Sequence, residues 1–186
     1  MLEADPRAYI ERIEVHGNTR TKDYVIRREF DFAEGDAYNK TLIDRAERRL
    51  KNLGYFKTVK ITTKPGSASD RVVLDVDVTD QATGDFRISG GYSTTDGWLG
   101  EVKVGESNFY GTGNKVQASV TYGQYAQGAE LSATDPDAFG NHVSASGDLF
   151  YRQTFANSYQ SYGSNTYGTT LSLGTPITQQ TSVLWR

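Results

Sequence analysis

Lys115-Val-Gln-Ala-Ser-Val-Thr-Tyr122 carries Val116, Ala118, Val120 and Tyr122 at every second position, with Lys115, Gln117, Ser119 and Thr121 between them. A period of two puts apolar side chains on one face of a β-strand and polar ones on the other. The pattern recurs on both sides. Upstream, Phe86, Ile88, Gly90 and Tyr92 alternate with Arg87, Ser89 and Gly91, and Val102 and Val104 alternate with Glu101 and Lys103. Downstream come Ala129, Leu131 and Ala133, then Val143, Ala145, Gly147, Leu149 and Tyr151, then Tyr167, Thr169, Leu171 and Leu173. These runs predict six strands, and 181–186 the start of a seventh. The links between them are Thr95-Asp-Gly97, 108–113, 123–128, Asp135-Pro-Asp137, 152–164 and 176–180. They are rich in Gly, Asn, Asp and Pro, which favour turns through dihedral freedom and local hydrogen bonds. Links this short imply antiparallel neighbours.

Alternation alone does not say which face is wet. A soluble sandwich packs its apolar face inward, whereas a membrane barrel turns it to lipid and keeps a polar lumen. Two features favour the barrel. The strands approach the roughly 9–11 residues of a tilted bilayer crossing. Aromatics also gather near strand ends, as Tyr92 with Trp98, Phe109 with Tyr110, and Tyr122 with Tyr125, where interfacial girdles belong. The longest apolar run is three residues, for example Val72-Val-Leu74, so a spanning helix is excluded.

The 80 residues before this region have another vocabulary. They hold 15 Lys+Arg and 15 Asp+Glu, against 5 and 8 in the remaining 106, and only 4 of the 19 glycines. Ile13 and Val15 predict a short strand ending at Gly17-Asn18. Thr21 to Phe30 reads as a first helix. Leu42, Ile43, Ala46, Leu50 and Leu53 share one face of a second, capped by Asn39 or Thr41 and stopped at Gly54. Val59, Ile61 and Thr63 form one strand. Pro65-Gly-Ser67 turns the chain into another, with Val72, Leu74, Val76 and Val78 on one face. The order β-α-α-β-β predicts an α+β domain over 8–80, with two helices covering one face of a three-stranded sheet. The second domain is 81–186. Met1-Leu-Glu3 leads directly into structured sequence, and Thr181 to Arg186 ends within a strand, so the expectation is a piece of a longer protein.

Ile13-Glu-Val-His-Gly-Asn18, Arg27-Arg-Glu29, Glu34-Gly35 and, most specifically, Arg49-Leu-Lys-Asn-Leu-Gly-Tyr-Phe56 resemble a POTRA domain, the periplasmic repeat that precedes outer-membrane assembly and transport barrels. Thr83-Gly84, Gly91-Tyr92, Asn108 with Gly111-Thr-Gly113, Ala129-Glu-Leu131, Leu149-Phe-Tyr151, Tyr167-Gly168 and Leu173-Gly-Thr-Pro-Ile177 resemble the first barrel strands of the BamA family. The resemblance implies the barrel-proximal POTRA and less than half of an antiparallel transmembrane β-barrel. It also implies an outer-membrane location with the POTRA in the periplasm, and partners that are nascent outer-membrane proteins, accessory outer-membrane lipoproteins and the lipid bilayer. Client strands are expected to pair at Phe86, Arg87, Ile88, Ser89, Gly90 and Gly91, where glycines 84, 90 and 91 weaken packing. The POTRA edge strand, Lys57, Val59, Lys60 and Ile61, is a second candidate for an added strand. Arg27, Arg28 and Glu34 are candidates for accessory-partner docking. A POTRA-barrel transport pore is the alternative function, and a soluble peptide-binding β protein a third. A partial barrel would expose two edges and is expected to need lipid, detergent or self-association.

Nothing in the sequence argues for catalysis, cofactor or metal. The two histidines, His16 and His142, lie in different regions beside turns, and neither has a second ligand at metal spacing. No Gly-x-Ser-x-Gly elbow occurs. Gly111-Thr-Gly113 lacks a third glycine and a following helix. Asp135-Pro-Asp137 is too few oxygens for calcium and reads as a turn. Cysteine is absent, which excludes disulfides, and the formal charge of -3 gives no basic surplus for nucleic acid. Arg45, Arg48, Arg49 and Lys51 read as the outward face of the second helix.

Overall fold

A computed structural model describes residues 8–140, 142–178 and 181–185. They divide into two compact units, one running to Thr83 with Tyr110–Thr112, the other comprising Gly84–Phe109 and the chain from Gly113 onward. The first unit has the order β1 (Tyr9–His16), α1 (Asp23–Arg27), α2 (Lys40–Asn52), β2 (Phe56–Pro65) and β3 (Arg71–Asp80). Its sheet runs β1-β3-β2, with β1 parallel and β2 antiparallel to the central β3.

The helices show why local chemistry sets their ends. Asn39 caps α2, its side-chain oxygen accepting from the N–H groups of Thr41 at 2.9 Å and Leu42 at 3.4 Å. Gly54 beyond the last turn adopts φ +72°, open to glycine at little cost. Helix α1 is shorter than the sequence predicts. The Thr21 hydroxyl, a potential cap, is donated to Asp80 at 2.7 Å, and the true N-cap, Lys22, makes no side-chain cap bond. Ile43, Ala46 and Leu50 of α2 join Ile10, Ile13, Val25, Ile26, Val59, Leu74, Val76 and Val78 in one core cluster.

Asp80 closes this unit. It accepts from the Arg20 N–H at 2.7 Å, the Thr21 hydroxyl at 2.7 Å and the Thr19 hydroxyl at 3.2 Å. Partial burial opposes its charge, but the Arg20 N–H and the Thr21 and Thr19 hydroxyls outweigh that and hold its carboxyl below the usual carboxylate range. A folded-state value below the unfolded one stabilises the fold at pH above the unfolded value, about 3.9, and that contribution is lost as pH falls through the folded value. Asp80→Ala is therefore expected to cost about 1–2 kcal/mol at neutral pH. Urea titration should show the gap between wild type and variant narrowing below about pH 3.5.

The second unit is a seven-stranded antiparallel meander in sequential order. Its strands are β4 (Gly84–Ser93), β5 (Gly97–Phe109), β6 (Asn114–Gly123), β7 (Ala126–Asp135), β8 (Ser144–Thr154), β9 (Ser164–Thr178) and β10 (Thr181–Trp185). Strand β9 runs on through Pro176 to Thr178, where the sequence predicts a turn; Gln179 and Gln180 of that turn lie outside the described residues. No described helix is long and apolar enough to cross a membrane, a criterion that does not bear on strands.

Register sorts the side chains into rows. Ile88, Val102, Val120, Ala129, Tyr151 and Tyr167 face one another in succession across β4 to β9. So do Phe86, Val104, Ala118, Leu131 and Leu149. The opposite face carries Ser89, Glu101, Thr121, Gly128, Arg152 and Thr166, and beside them Arg87, Lys103, Ser119 and Glu130. The apolar face is uncovered, with Ile88 72%, Val120 57% and Leu149 54% exposed. A soluble sandwich would bury that face; a membrane barrel presents it outward. At one end of the strands Tyr92 pairs with Trp98, whose ring lies 5.7 Å from Tyr122. Phe109, Tyr110 and Phe139 stand exposed at the other end.

Candidate functional site

Among the described residues β4 pairs only with β5, so its outer edge has no ladder partner. Along an antiparallel edge, alternate residues direct backbone N–H and C=O groups outward, a ready template for another strand. The six candidate residues lie within this edge and pair inward, Phe86 with Val104, Arg87 with Lys103, Ile88 with Val102, Ser89 with Glu101, Gly90 with Gly100 and Gly91 with Leu99. Every residue from Phe86 to Ser93 is exposed.

The glycines thin this strand toward one end. Gly90 faces Gly100, so that pair has no side chains to interact and rests on backbone bonds alone. A Cβ placed on Gly91 would meet no atom within 4 Å. Elsewhere the sheet fills its glycine gaps: a Cβ on Gly168 would lie 2.7 Å from the ring of Phe150, its cross-strand neighbour. The β4 edge lacks such cover.

The first unit offers a second edge at β2. Val59 is buried and Ile61 packs against the core, while Lys57 and Lys60 are exposed. The ladder shifts register between Phe56 and Thr58, so Lys57 stands outside it. A bulge with lysines is a common guard against unwanted pairing, yet from Thr58 to Pro65 the ladder to β3 is unbroken and its far side free among the described residues.

The docking candidates divide. Glu34 accepts the Ile13 N–H at 2.9 Å, next to the irregularity in β1 between Ile10 and Arg12. Arg27 donates to the Ile13 carbonyl at 2.9 Å and to Asp23 at 2.6 Å, with Glu34 3.6 Å away. Arg27 and Glu34 thus brace β1. Arg28 is not with them; it lies 3.8 Å from Glu29 with its side chain 13% exposed. Nor is the basic face of α2 wholly outward: Arg49 donates to Asp31 at 2.7 Å and Arg45 lies 3.6 Å from the same carboxylate. Sequence spacing shows a helix face but not the loop that folds over it.

The structure corrects one reading of the histidines. Glu14 and Asp75 are register partners across β1 and β3, and they stand beside His16. Glu14 precedes His16 by two residues on the same strand, whereas Asp75 comes from a strand distant in sequence. In the Asp135–Asp137 turn, Asp135 accepts the Asp137 N–H at 3.0 Å and Asp137 accepts the His142 N–H at 2.8 Å, the bonding of a closed turn.

Comparison with known proteins meets this geometry. A model of the POTRA family, described as a surface antigen variable number repeat, matches residues 8–81, and a model of the Omp85 superfamily domain matches residues 108–186. The chain is 27% identical over 183 residues to the outer membrane protein assembly factor BamA of Neisseria meningitidis serogroup B, covering 96% of this chain and 23% of the relative. It is 31% identical over 143 residues to BamA of Neorickettsia risticii, covering 77% of this chain and 19% of the relative. The chain thus spans about a fifth of the length of these curated relatives. BamA from Haemophilus ducreyi lacking POTRA domains 1-3 is similar in structure with a TM-score of 0.86 and 26% identity, covering 97% of this chain and 35% of that one. CdiB from Acinetobacter baumannii gives a TM-score of 0.62 at 14% identity over 94% of this chain and 35% of that one, a likeness of fold alone. The chain thus carries a POTRA repeat over residues 8–81 and, over residues 108–186, part of an Omp85 superfamily domain folded as antiparallel strands like those of the BamA barrel.

Proposed function

We propose that this chain is the barrel-proximal POTRA (8–80) and the first barrel strands (81–186) of an outer-membrane protein assembly factor. In the whole protein, β4 is the strand at which client outer-membrane proteins pair. The observation that carries this reading is the β4 edge itself: without an outer ladder partner among the described residues, exposed from Phe86 to Ser93, and held at Gly90–Gly100 by backbone alone. Strand addition there exchanges backbone hydrogen bonds for equivalent ones, so the step is near balance, and burial of client side chains in lipid drives it forward without nucleotide hydrolysis. The POTRA unit stands in the periplasm, where β2, through Lys57, Val59, Lys60 and Ile61, takes up extended client segments. The exposed parts of Arg27, Arg28 and Glu34 face accessory lipoproteins.

Cysteines at Ile88 or Ser89 of the full-length protein, paired with cysteines along a client's terminal strand, are expected to crosslink during assembly with a two-residue periodicity. Uniform absence of crosslinks at β4, with the protein inserted and folded, would sink the proposal. A transport pore of the same architecture is the second reading. It predicts passenger-dependent conductance and no β4 crosslinks.

A further inference from the structure

On the face of the first sheet away from its core, three side chains converge from two strands. His16 Nε2 lies 3.3 Å from Asp75 Oδ1 and 3.8 Å from Glu14 Oε2, and the three potential ligand atoms all fall within 4.8 Å of one another. Ligand atoms about 2.0–2.1 Å from a tetrahedral ion lie roughly 3.3 Å apart. The His16–Asp75 spacing already has that value, and Glu14 Oε2 stands 3.8 Å from His16 Nε2, within reach of a side-chain adjustment.

The carboxylates are oriented by their other oxygens. Glu14 Oε1 is held by Arg12 Nε at 2.7 Å, and Asp75 Oδ2 by the Lys64 ammonium. Each therefore turns its remaining oxygen toward His16. Asp75 gives the independent sign that something is owed here. Its side chain is only 7% exposed, and Oδ1 accepts no hydrogen bond among the described residues. An unsatisfied buried acceptor is costly, about 1–3 kcal/mol, and a bound cation would satisfy it. His16, 55% exposed, leaves the site open to solvent.

We propose that Glu14, His16 and Asp75 bind a divalent transition-metal ion of the zinc class. One imidazole nitrogen with two carboxylate oxygens suits that class, whereas calcium requires a larger all-oxygen shell. Three protein ligands leave a coordination position for water or for a donor from another molecule. The ammonium and guanidinium behind the carboxylates moderate the affinity, so the site is exchangeable rather than structural. The inference does not depend on strand addition at β4.

The test is Zn²⁺ titration of the tag-free full-length protein in lipid nanodiscs, followed by calorimetry near pH 7.5. One ion per chain is expected, weakened at least ~10-fold by His16→Ala or by Glu14→Gln and unchanged by His142→Ala. Co²⁺ should give a visible absorption band that His16→Ala abolishes. His16 is half exposed, so its loss leaves the core intact, and the helical circular-dichroism band verifies that. No uptake at millimolar Zn²⁺, or uptake unaltered by His16→Ala in the folded variant, would show that the cluster is an ion pair only and overturn the proposal.

Discussion

Leu50→Ala is expected to destabilise the POTRA unit by about 2–5 kcal/mol, the range for emptying a large aliphatic site in a packed core. Leu50 is fully buried on α2, in the cluster that joins Ile43 and Ala46 to Leu74 and Val76 of the central strand. A domain of this size has roughly 5–10 kcal/mol in total, so the variant should lose a large share of its stability and unfold at a clearly lower urea concentration than wild type. The measurement is a urea titration followed by the helical circular-dichroism band, because helices occur only in the first unit among the described residues. A midpoint equal to wild type would mean that α2 does not hold the sheet. Lys51→Ala, at an exposed position one residue on, is the control and should shift stability by less than about 0.5 kcal/mol.

The second large effect separates the two faces of the barrel sheet. Leu131 and Ser132 are neighbours in the middle of β7 and point to opposite sides. Leu131 lies in the apolar row between Ala118 and Leu149, and Ser132 in the polar row between Gln117 and Asp148. Leu131→Arg should cost about 2–4 kcal/mol when the full-length protein folds into lipid vesicles, as expected for a cation near the bilayer midplane. Ser132→Arg should cost nearly nothing, since the new guanidinium would face Asp148 across the lumen side. Equal costs at both positions, or a larger one at Ser132, would contradict the assignment of lipid to the apolar face.

Much of this architecture was legible because it is periodic. Alternation from Phe86 to Leu173 located the barrel strands, and its first run, Phe86 to Tyr92, falls within β4. The Leu42–Leu53 spacing and Asn39 located α2. What escaped was set by partners distant in sequence. Thr21 looks like part of a helix until Asp80 takes its hydroxyl, which leaves α1 a single short turn and a half. Arg45 and Arg49 look solvated until the loop carrying Asp31 closes over them. Glu34 is a docking candidate in the sequence, and its bond from the Ile13 N–H is an added role that only the fold makes visible. His16 has Glu14 two residues before it, but it gains Asp75 only because β1 runs parallel to β3, a pairing that no local pattern announces. In the β4 edge, by contrast, the residues are local and contiguous, so the stretch was readable from alternation alone.

The order of strands in the first sheet has a consequence for how the chain is made. Strand β3 is central, yet it is the last of the three to emerge from the ribosome or a translocation channel. Until residue 80 is out, β1 and β2 have nothing between them and α2 has no Leu74 or Val76 to cover. Assembly of the POTRA unit is therefore all-or-nothing at a late moment, triggered just as the first residues of β4 follow. The nascent segment spends its exposed interval before that point, which is when a holding chaperone would find it.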